Sequence, residues 1–339
     1  MMMKVAYWYN NRDIRIVEEP IPEPEPDEIL VRIISCGICG SDVVEWYRLP
    51  RAPLVPGHEI GAEVVSIGKA VTSCKVGDRV FIAPKVPCMQ CEFCLREKYP
   101  LCTEIKERLP GGFAEYIVVP ESILNNGTYL LPENVSYDQS TFIEPLACVV
   151  RAHRLADVKQ ENRVMIFGAG MSGLLHIRLA KSKGCEVIAT DIDRNRLQLA
   201  KTSGADTILF ATDEVSEYFV SGQPKPHVII LCTGASSVVE QAWRYVEKGG
   251  TIVFFAVPNP DVVVTIPINY FWTREIKVLT SYYCGPPDIK DALKLIESGE
   301  IDVEDMITHQ LPLTEIIKGF ELVTQRSDSL KVIIKPQLM

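Results

Sequence analysis

The chain has no stretch of eighteen consecutive apolar residues, so no membrane-spanning helix is expected. It opens MMMKVAYWYNNRDIRIVEEP, with no basic segment leading into an apolar one, and export is not indicated. Runs of lysine or arginine are also missing, and 35 basic against 44 acidic residues leave a formal net charge of −9. The basic stripe needed for nucleic-acid binding is therefore absent, and neither nucleic acid nor a membrane is an expected partner. No internal repeat is visible, and the one biased tract is the short run PIPEPEPDE, residues Pro20 to Glu28, which reads as an extended, solvated connection.

What is present in quantity is cysteine. Eleven occur in 339 residues, and without an export signal they imply metal ligands and reduced thiols in the cytoplasm. Cys88, Cys91, Cys94 and Cys102 form a C-x2-C-x2-C-x7-C cluster. Two-residue gaps let thiolates converge from one tight loop, and the fourth returns to complete a tetrahedron, the pattern of a structural zinc site. The competing readings are unrelated thiols, a disulfide knot, or an iron–sulfur cluster. Ferredoxin runs close with a gap of three and Cys-Pro, and the gap of seven argues against that last option.

A chain of this length exceeds the usual limit of a single core, so two domains are expected. From Lys4 to about Pro120 short β segments alternate with Gly and Pro turn signals, among them Glu28 to Ile38, Glu63 to Gly68, Val76 to Pro84 and Phe113 to Pro120, which predicts a barrel-like β domain. From Arg163 apolar strands alternate with helical segments, and further strand candidates lie at Asp206 to Phe210, His227 to Gly234, Gly250 to Val257 and Ile276 to Tyr282. The pattern predicts a parallel sheet of six strands with helices on both faces, the complete dinucleotide fold. A terminal strand, LKVIIKP, is expected to return to the β domain and make it discontinuous.

Gly168-Ala169-Gly170-Met171-Ser172-Gly173 follows the strand RVMIF and opens a helix. Gly168 permits the tight turn, Gly170 admits the pyrophosphate and Gly173 allows close helix–strand packing, while the N–H groups of the helix start, from Met171 and Ser172 onward, face phosphate. Asp191 closes the next strand, eighteen positions after Gly173, where a carboxylate accepts from ribose hydroxyls and repels a 2′-phosphate. NAD is expected over NADP, with dual specificity as the alternative because Arg194 and Arg196 follow closely and an arginine there can pair with a 2′-phosphate. Arg196 is expected to stack on adenine, and Cys232, Thr233 and Val257, at later strand ends, to complete the contacts.

Cys39, in CGICGSD, and His58 with Glu59, in PGHE, supply a thiolate, an imidazole and a carboxylate, and three protein ligands with an open fourth position are the catalytic arrangement of zinc. Together with VGDRV, the cysteine cluster, GGFAEY, FIEPLACVVRA, GAGMSG and IDVEDMITHQLPL, these motifs span the chain, which resembles the zinc-dependent medium-chain dehydrogenases and, within them, the polyol branch typified by sorbitol (L-iditol) 2-dehydrogenase.

The resemblance implies an α/β fold of a GroES-like β-barrel catalytic domain, residues 1–145 plus 283–339 with its zinc lobe at 85–105, and a Rossmann domain at 146–282. It implies two zinc ions, one structural and one catalytic, and hydride transfer between NAD and a polyol, sugar or sugar acid. Cys39 and His58 match catalytic zinc ligands. Glu59 and Glu144 are both candidates for the third, and Ser41 matches the proton-relaying hydroxyl. Val44 stands where many relatives carry a relay histidine, leaving water or Glu45 as the exit. Ala62 stands where a glycine is usual, with Gly61 one residue early. Tyr282 and Tyr283 fall where the branch contacts substrate. Relatives are homodimers or homotetramers. The alternatives are an L-threonine 3-dehydrogenase-like enzyme, a zinc-free quinone reductase, and a nonenzymatic NAD-binding protein.

Overall fold

The computed structural model describes residues 1–105, 107–256, 259–325 and 329–338. The chain divides into two compact units, Met1–Ala147 with Cys284–Met339, and Cys148–Tyr283.

The first unit is built on a seven-stranded sheet. Its main path runs Ile307–Pro312, Lys331–Lys335, Ile29–Gly37, Glu59–Ile67, Arg79–Ile82 and Thr128–Leu130, and Tyr116–Val119 pairs off Ile29–Gly37. An N-terminal hairpin joins Met2–Asn10 to Asp13–Pro20. The C-terminal strand lies antiparallel to Ile29–Gly37, with Ile333 opposite Gly37. Alternation along these strands sends Val31, Ile33, Ile60, Val64 and Ile82 into one core with Trp8, Phe113 and Phe320. Each such fully buried side chain contributes about 1.5–3 kcal/mol, and Phe113 and Phe320 meet edge to face at 6.0 Å.

Two local features follow from the sequence. The Pro/Glu run is irregular, as its prolines require, but it is pinned: Ala70 N–H donates to Pro26 O at 2.7 Å, and a Cβ on Gly68 would lie 2.2 Å from Glu25 O. Gly61 is needed where it stands, because a Cβ there would fall 2.2 Å from Ser140 Oγ and 2.8 Å from Tyr137 O. The displaced glycine therefore makes room for the short helix Tyr137–Ser140 while Ala62 continues the strand.

The second unit is the doubly wound fold. Its six strands are ordered Thr207–Phe210, Glu186–Asp191, Arg163–Phe167, Val228–Leu231, Thr251–Phe254, Lys277–Thr280, and every pairing is parallel. Numbered along the chain this is 3-2-1-4-5-6, the Rossmann order, in which ligands bind beyond the carboxyl ends of the strands at the switch point. The two central strands, VMIF and VIIL, are buried throughout, as strands covered on both faces must be.

Candidate active site and cysteine lobe

The strand Ile29–Gly37 delivers the loop that carries Cys39, Ser41 and Asp42. The loop closes on itself: Asp42 N–H donates to Cys39 O at 2.9 Å, and Cys39 N–H donates to Asp42 Oδ2 at 3.1 Å. Ser41 turns inward, its Oγ 3.4 Å from Cys39 Sγ. His58 follows Gly57, whose φ of +94° and contact with Cys36, where a Cβ would sit 2.8 Å from Sγ, both require glycine. Glu59 begins the next strand directly opposite Gly37.

These elements bring one donor atom each from Cys39, His58 and Glu59 within 4.8 Å of one another. Behind them lies a set of charges. Asp42, fully buried, sits 3.4 Å from His58 Nδ1 and 2.6 Å from Arg48 Nη2. Burial opposes a charged His58, yet its contacts with Asp42 and Cys39 outweigh it and hold its pKa well above the ordinary value. A site that draws positive charge to these donors suits a divalent cation, and a carboxylate on the second imidazole nitrogen is the usual outer partner of a metal-bound histidine.

Glu59 is paired through Oε2 with Lys331 Nζ at 2.5 Å, and both side chains are inaccessible to solvent. Its other oxygen, Oε1, is buried with no hydrogen-bond partner among the described residues. An orphaned carboxylate oxygen carries a large desolvation cost unless a cation meets it, so the donor set fits a metal ion. Gly37 makes the pair possible, since a Cβ there would lie 2.1 Å from Glu59 Oε2 and 2.9 Å from Lys331 Cε. Glu144 is not part of this donor group; its carboxylate lies within 4.8 Å of Cys284 Sγ. Glu45 accepts from Asn11 N–H at 2.9 Å in an exposed contact.

The four lobe cysteines also converge within 4.8 Å. Their Sγ–Sγ separations of 3.8 Å for Cys88–Cys94, 3.5 Å for Cys91–Cys94 and 3.9 Å for Cys91–Cys102 are too long for a disulfide, at about 2.05 Å. They match the edge of a ZnS4 tetrahedron, about 3.8 Å for Zn–S near 2.3 Å. Backbone N–H groups, that of Cys94 foremost, lower the Cys91 thiol to about 6, whereas burial lifts Cys94 to about 12. One thiol is thus ready to ionise, and another requires a cation beside it.

In the second unit Gly168 adopts φ +97°, and a Cβ on Gly173 would lie 1.9 Å from Gly168 O, so the helix Met171–Ser182 starts hard against the strand end. Asp191 accepts from Ala169 N–H at 2.6 Å and from Asp193 N–H at 2.9 Å, which fixes its carboxylate under the glycine turn. Arg196 reaches that turn too, its Nη1 3.4 Å from the Cβ position of Gly170, putting its charge beside the glycine turn. Arg194 is held elsewhere, over the Phe210 ring at 4.5 Å and 3.4 Å from Glu214. Cys232 is at the switch point, its N–H donating to Phe167 O at 2.8 Å and its thiol pKa raised by burial. Thr233 follows it, with Oγ1 accepting from Ala235 N–H at 3.4 Å. Val257 lies outside the described residues. Tyr282 is half exposed, and Tyr283 takes a left-handed φ of +59°.

Residues 25–128 match the alcohol dehydrogenase GroES-like domain, and residues 173–298 match the zinc-binding dehydrogenase domain. Sorbitol dehydrogenase of Gallus gallus is 32% identical over 95% of this chain and 93% of its own length. A D-xylulose reductase of Aspergillus clavatus is 34% identical over 91% and 90%. The chain belongs to the zinc-dependent medium-chain dehydrogenases. Among solved structures, a zinc-binding dehydrogenase of Sinorhizobium meliloti 1021, bound to NADP, superposes with a TM-score of 0.88 at 29% identity, covering 99% of this chain and 100% of that one.

For this dehydrogenase, reading motifs alone missed three residues beside the donors: Asp42, Arg48 and Lys331. Asp42 is spelled out in CGICGSD, and its offset of three from Cys39 fits a side chain that caps its own loop. Lys331 had a signal as well, a lysine at the start of the apolar strand KVIIK, where burial demands a partner. Arg48 had none, because it sits in a four-residue helix with no buried residue class to mark it.

Proposed function

We propose that this dehydrogenase oxidises a secondary alcohol of a polyol, sugar or sugar acid with NAD, and reduces the matching ketone in reverse. Cys39, His58 and Glu59 are the protein ligands of a catalytic zinc, and Cys88, Cys91, Cys94 and Cys102 hold a structural one. The reading is carried by the convergence of three chemically different donors in one unit, with an unpartnered Glu59 oxygen among them. Glu59 is taken as the third ligand over Glu144, which groups with Cys284 instead.

Bound at this site, zinc supplies a Lewis acid that lowers the pKa of an alcohol toward neutrality. Ser41 Oγ, beside Cys39 Sγ, accepts the alcohol proton and gives up its own hydroxyl proton to a water molecule. Asp42 fixes the ring of His58 through Nδ1, leaving the other nitrogen for coordination. Lys331 holds one Glu59 oxygen so that the second stays directed by the strand. Glu144 lines the substrate side with a hard, polar group that suits a hydroxyl-rich ligand.

In the other unit Gly168, Gly170 and Gly173, with the N–H groups of Met171 and Ser172, bind the NAD pyrophosphate, and Arg196 adds charge there. Asp191, clamped by two backbone N–H groups, selects against a 2′-phosphate. Cys232, Thr233 and Val257 complete the cofactor contacts. The strand Lys277–Thr280 has no neighbour on its outer edge among the described residues, and Ile268 and Trp272 beside it are 75% and 78% exposed. An apolar edge of this kind serves pairing with a second copy, giving a homodimer or homotetramer. Among the described residues no helix is long and apolar enough to cross a membrane; the eleven free cysteines favour a reducing cytoplasm.

The test is a panel of polyols, ketoses and sugar acids, with L-threonine included, assayed for NADH and NADPH formation before and after chelation. Turnover of a polyol or sugar acid with NAD, abolished by chelation, is expected. Faster turnover of L-threonine, preference for NADP, or chelator-resistant activity would overturn the corresponding part.

A further inference from the structure

Arg48 closes the short helix Glu45–Arg48 and folds back over the loop that bears Cys39. Its side chain is 12% exposed. Nε donates to Ser41 O at 3.2 Å, and Nη2 donates to Ser41 Oγ at 3.3 Å and to Asp42 Oδ1 at 2.6 Å. Through these two residues the guanidinium reaches Cys39, which shares Asp42 Oδ2 and the Ser41 hydroxyl, and His58, which shares Asp42 Oδ1. One planar fork therefore holds both Ser41 and Asp42, the residues that stand behind two of the three proposed zinc ligands.

Arg48 lies four residues beyond Val44, on the same face of that turn. Val44 offers no polar atom, so the hydrogen-bonding group that Ser41 meets comes from one turn further along. A guanidinium has five N–H donors and no lone pair. It cannot pass a proton onward; it can only hold Ser41 Oγ as an acceptor and neutralise Asp42. We propose that Arg48 is a positioning residue of this dehydrogenase, locking the Ser41 hydroxyl toward Cys39 and balancing the buried charge of Asp42. The inference rests on the function proposed above.

The experiment compares the full-length protein with Arg48→Met and Arg48→Lys, each assayed for zinc content, for NADH binding, and for kcat and KM on the best substrate of the panel. Arg48→Met is expected to keep two zinc ions per chain and bind NADH normally, while kcat falls roughly tenfold or more with KM within about threefold, the pattern of an interaction made in the transition state. Added guanidinium ion at low millimolar concentration restores part of that loss, and Arg48→Lys falls between. In a crystal structure of Arg48→Met the Ser41 side chain is expected to turn away from Cys39 while Asp42 stays on Cys39 N–H and His58. Wild-type kcat in Arg48→Met, a loss that only tracks lost zinc, no response to guanidinium, or an unchanged Ser41 rotamer would each overturn the proposal. If the wild-type protein turns over no member of the panel, the function fails, and the crystal structure still decides the role of Arg48.

Discussion

Replacing Lys331 with methionine tests how the Glu59 carboxylate is kept charged in a dry interior. The pair is separated by 2.5 Å with neither side chain exposed, and Lys331 Nζ also lies 4.8 Å from the Phe142 ring centroid. Removing one partner of a buried pair leaves an uncompensated charge, at a cost of about 3–5 kcal/mol. The lost cation–π contact adds ~1 kcal/mol. Replacing both partners with apolar residues removes the stranded charge, so Lys331→Met/Glu59→Leu should cost clearly less than either single change. Denaturant unfolding of the four proteins stripped of zinc, so that Glu59→Leu does not also remove a metal ligand, followed by a probe in the first unit, gives the cycle, and a coupling energy of at least about 2 kcal/mol is expected. If Lys331→Met costs under about 1 kcal/mol, or the double variant is the least stable of the four, the pair does not carry the load assigned to it.

Three further outcomes follow from particular contacts. His153 and His176 are buried with Nε2 and Nδ1 3.0 Å apart; burial pulls His176 to about 3 and His153 well below its usual value. The unfolded chain takes up protons below about pH 6.5 that the folded rings refuse, so stability present above that pH should fall on acidification by about 1.4 kcal/mol per unit for each ring. His176→Gln should flatten the slope measured by unfolding at several pH values. Gly173→Ala places a Cβ 1.9 Å from Gly168 O, and NADH fluorescence titration should show binding weakened by at least about tenfold, since the turn itself must move. Charge on the exposed sheet edge, as in Val278→Lys with Trp272→Glu, should shift sedimentation toward a monomer, and an unchanged oligomer would refute the edge as the contact.

The sequence made the fold legible where local pattern and tertiary demand coincide. The six-strand alternation, GAGMSG and the cysteine spacing each encode their geometry within a few residues, and the parallel order and converged thiols match them. The converging donors were legible as motifs, Cys39 from CGICGSD and His58 with Glu59 from PGHE. The outer partners were not, for a physical reason. Lys331 meets Glu59 across 272 positions of sequence, through strand pairing around Gly37, and no periodicity encodes a pairing of that kind. Arg48 acts by folding its long side chain backwards, so its helix signals nothing. Asp191 was expected to reserve its carboxylate for ribose, and its backbone clamp became visible only once the turn of Gly168 was formed. Sequence likewise offers no ground for choosing between Glu59 and Glu144, since each is a single carboxylate in a motif.

Crystals of the zinc-loaded protein measured on either side of the zinc absorption edge test the central claim most directly. Two anomalous peaks per chain are predicted, one within coordination distance of Cys39, His58 and Glu59, and one among Cys88, Cys91, Cys94 and Cys102, with the first alone lost in Cys39→Ser. A single peak confined to the cysteine lobe of the wild-type protein would contradict the account.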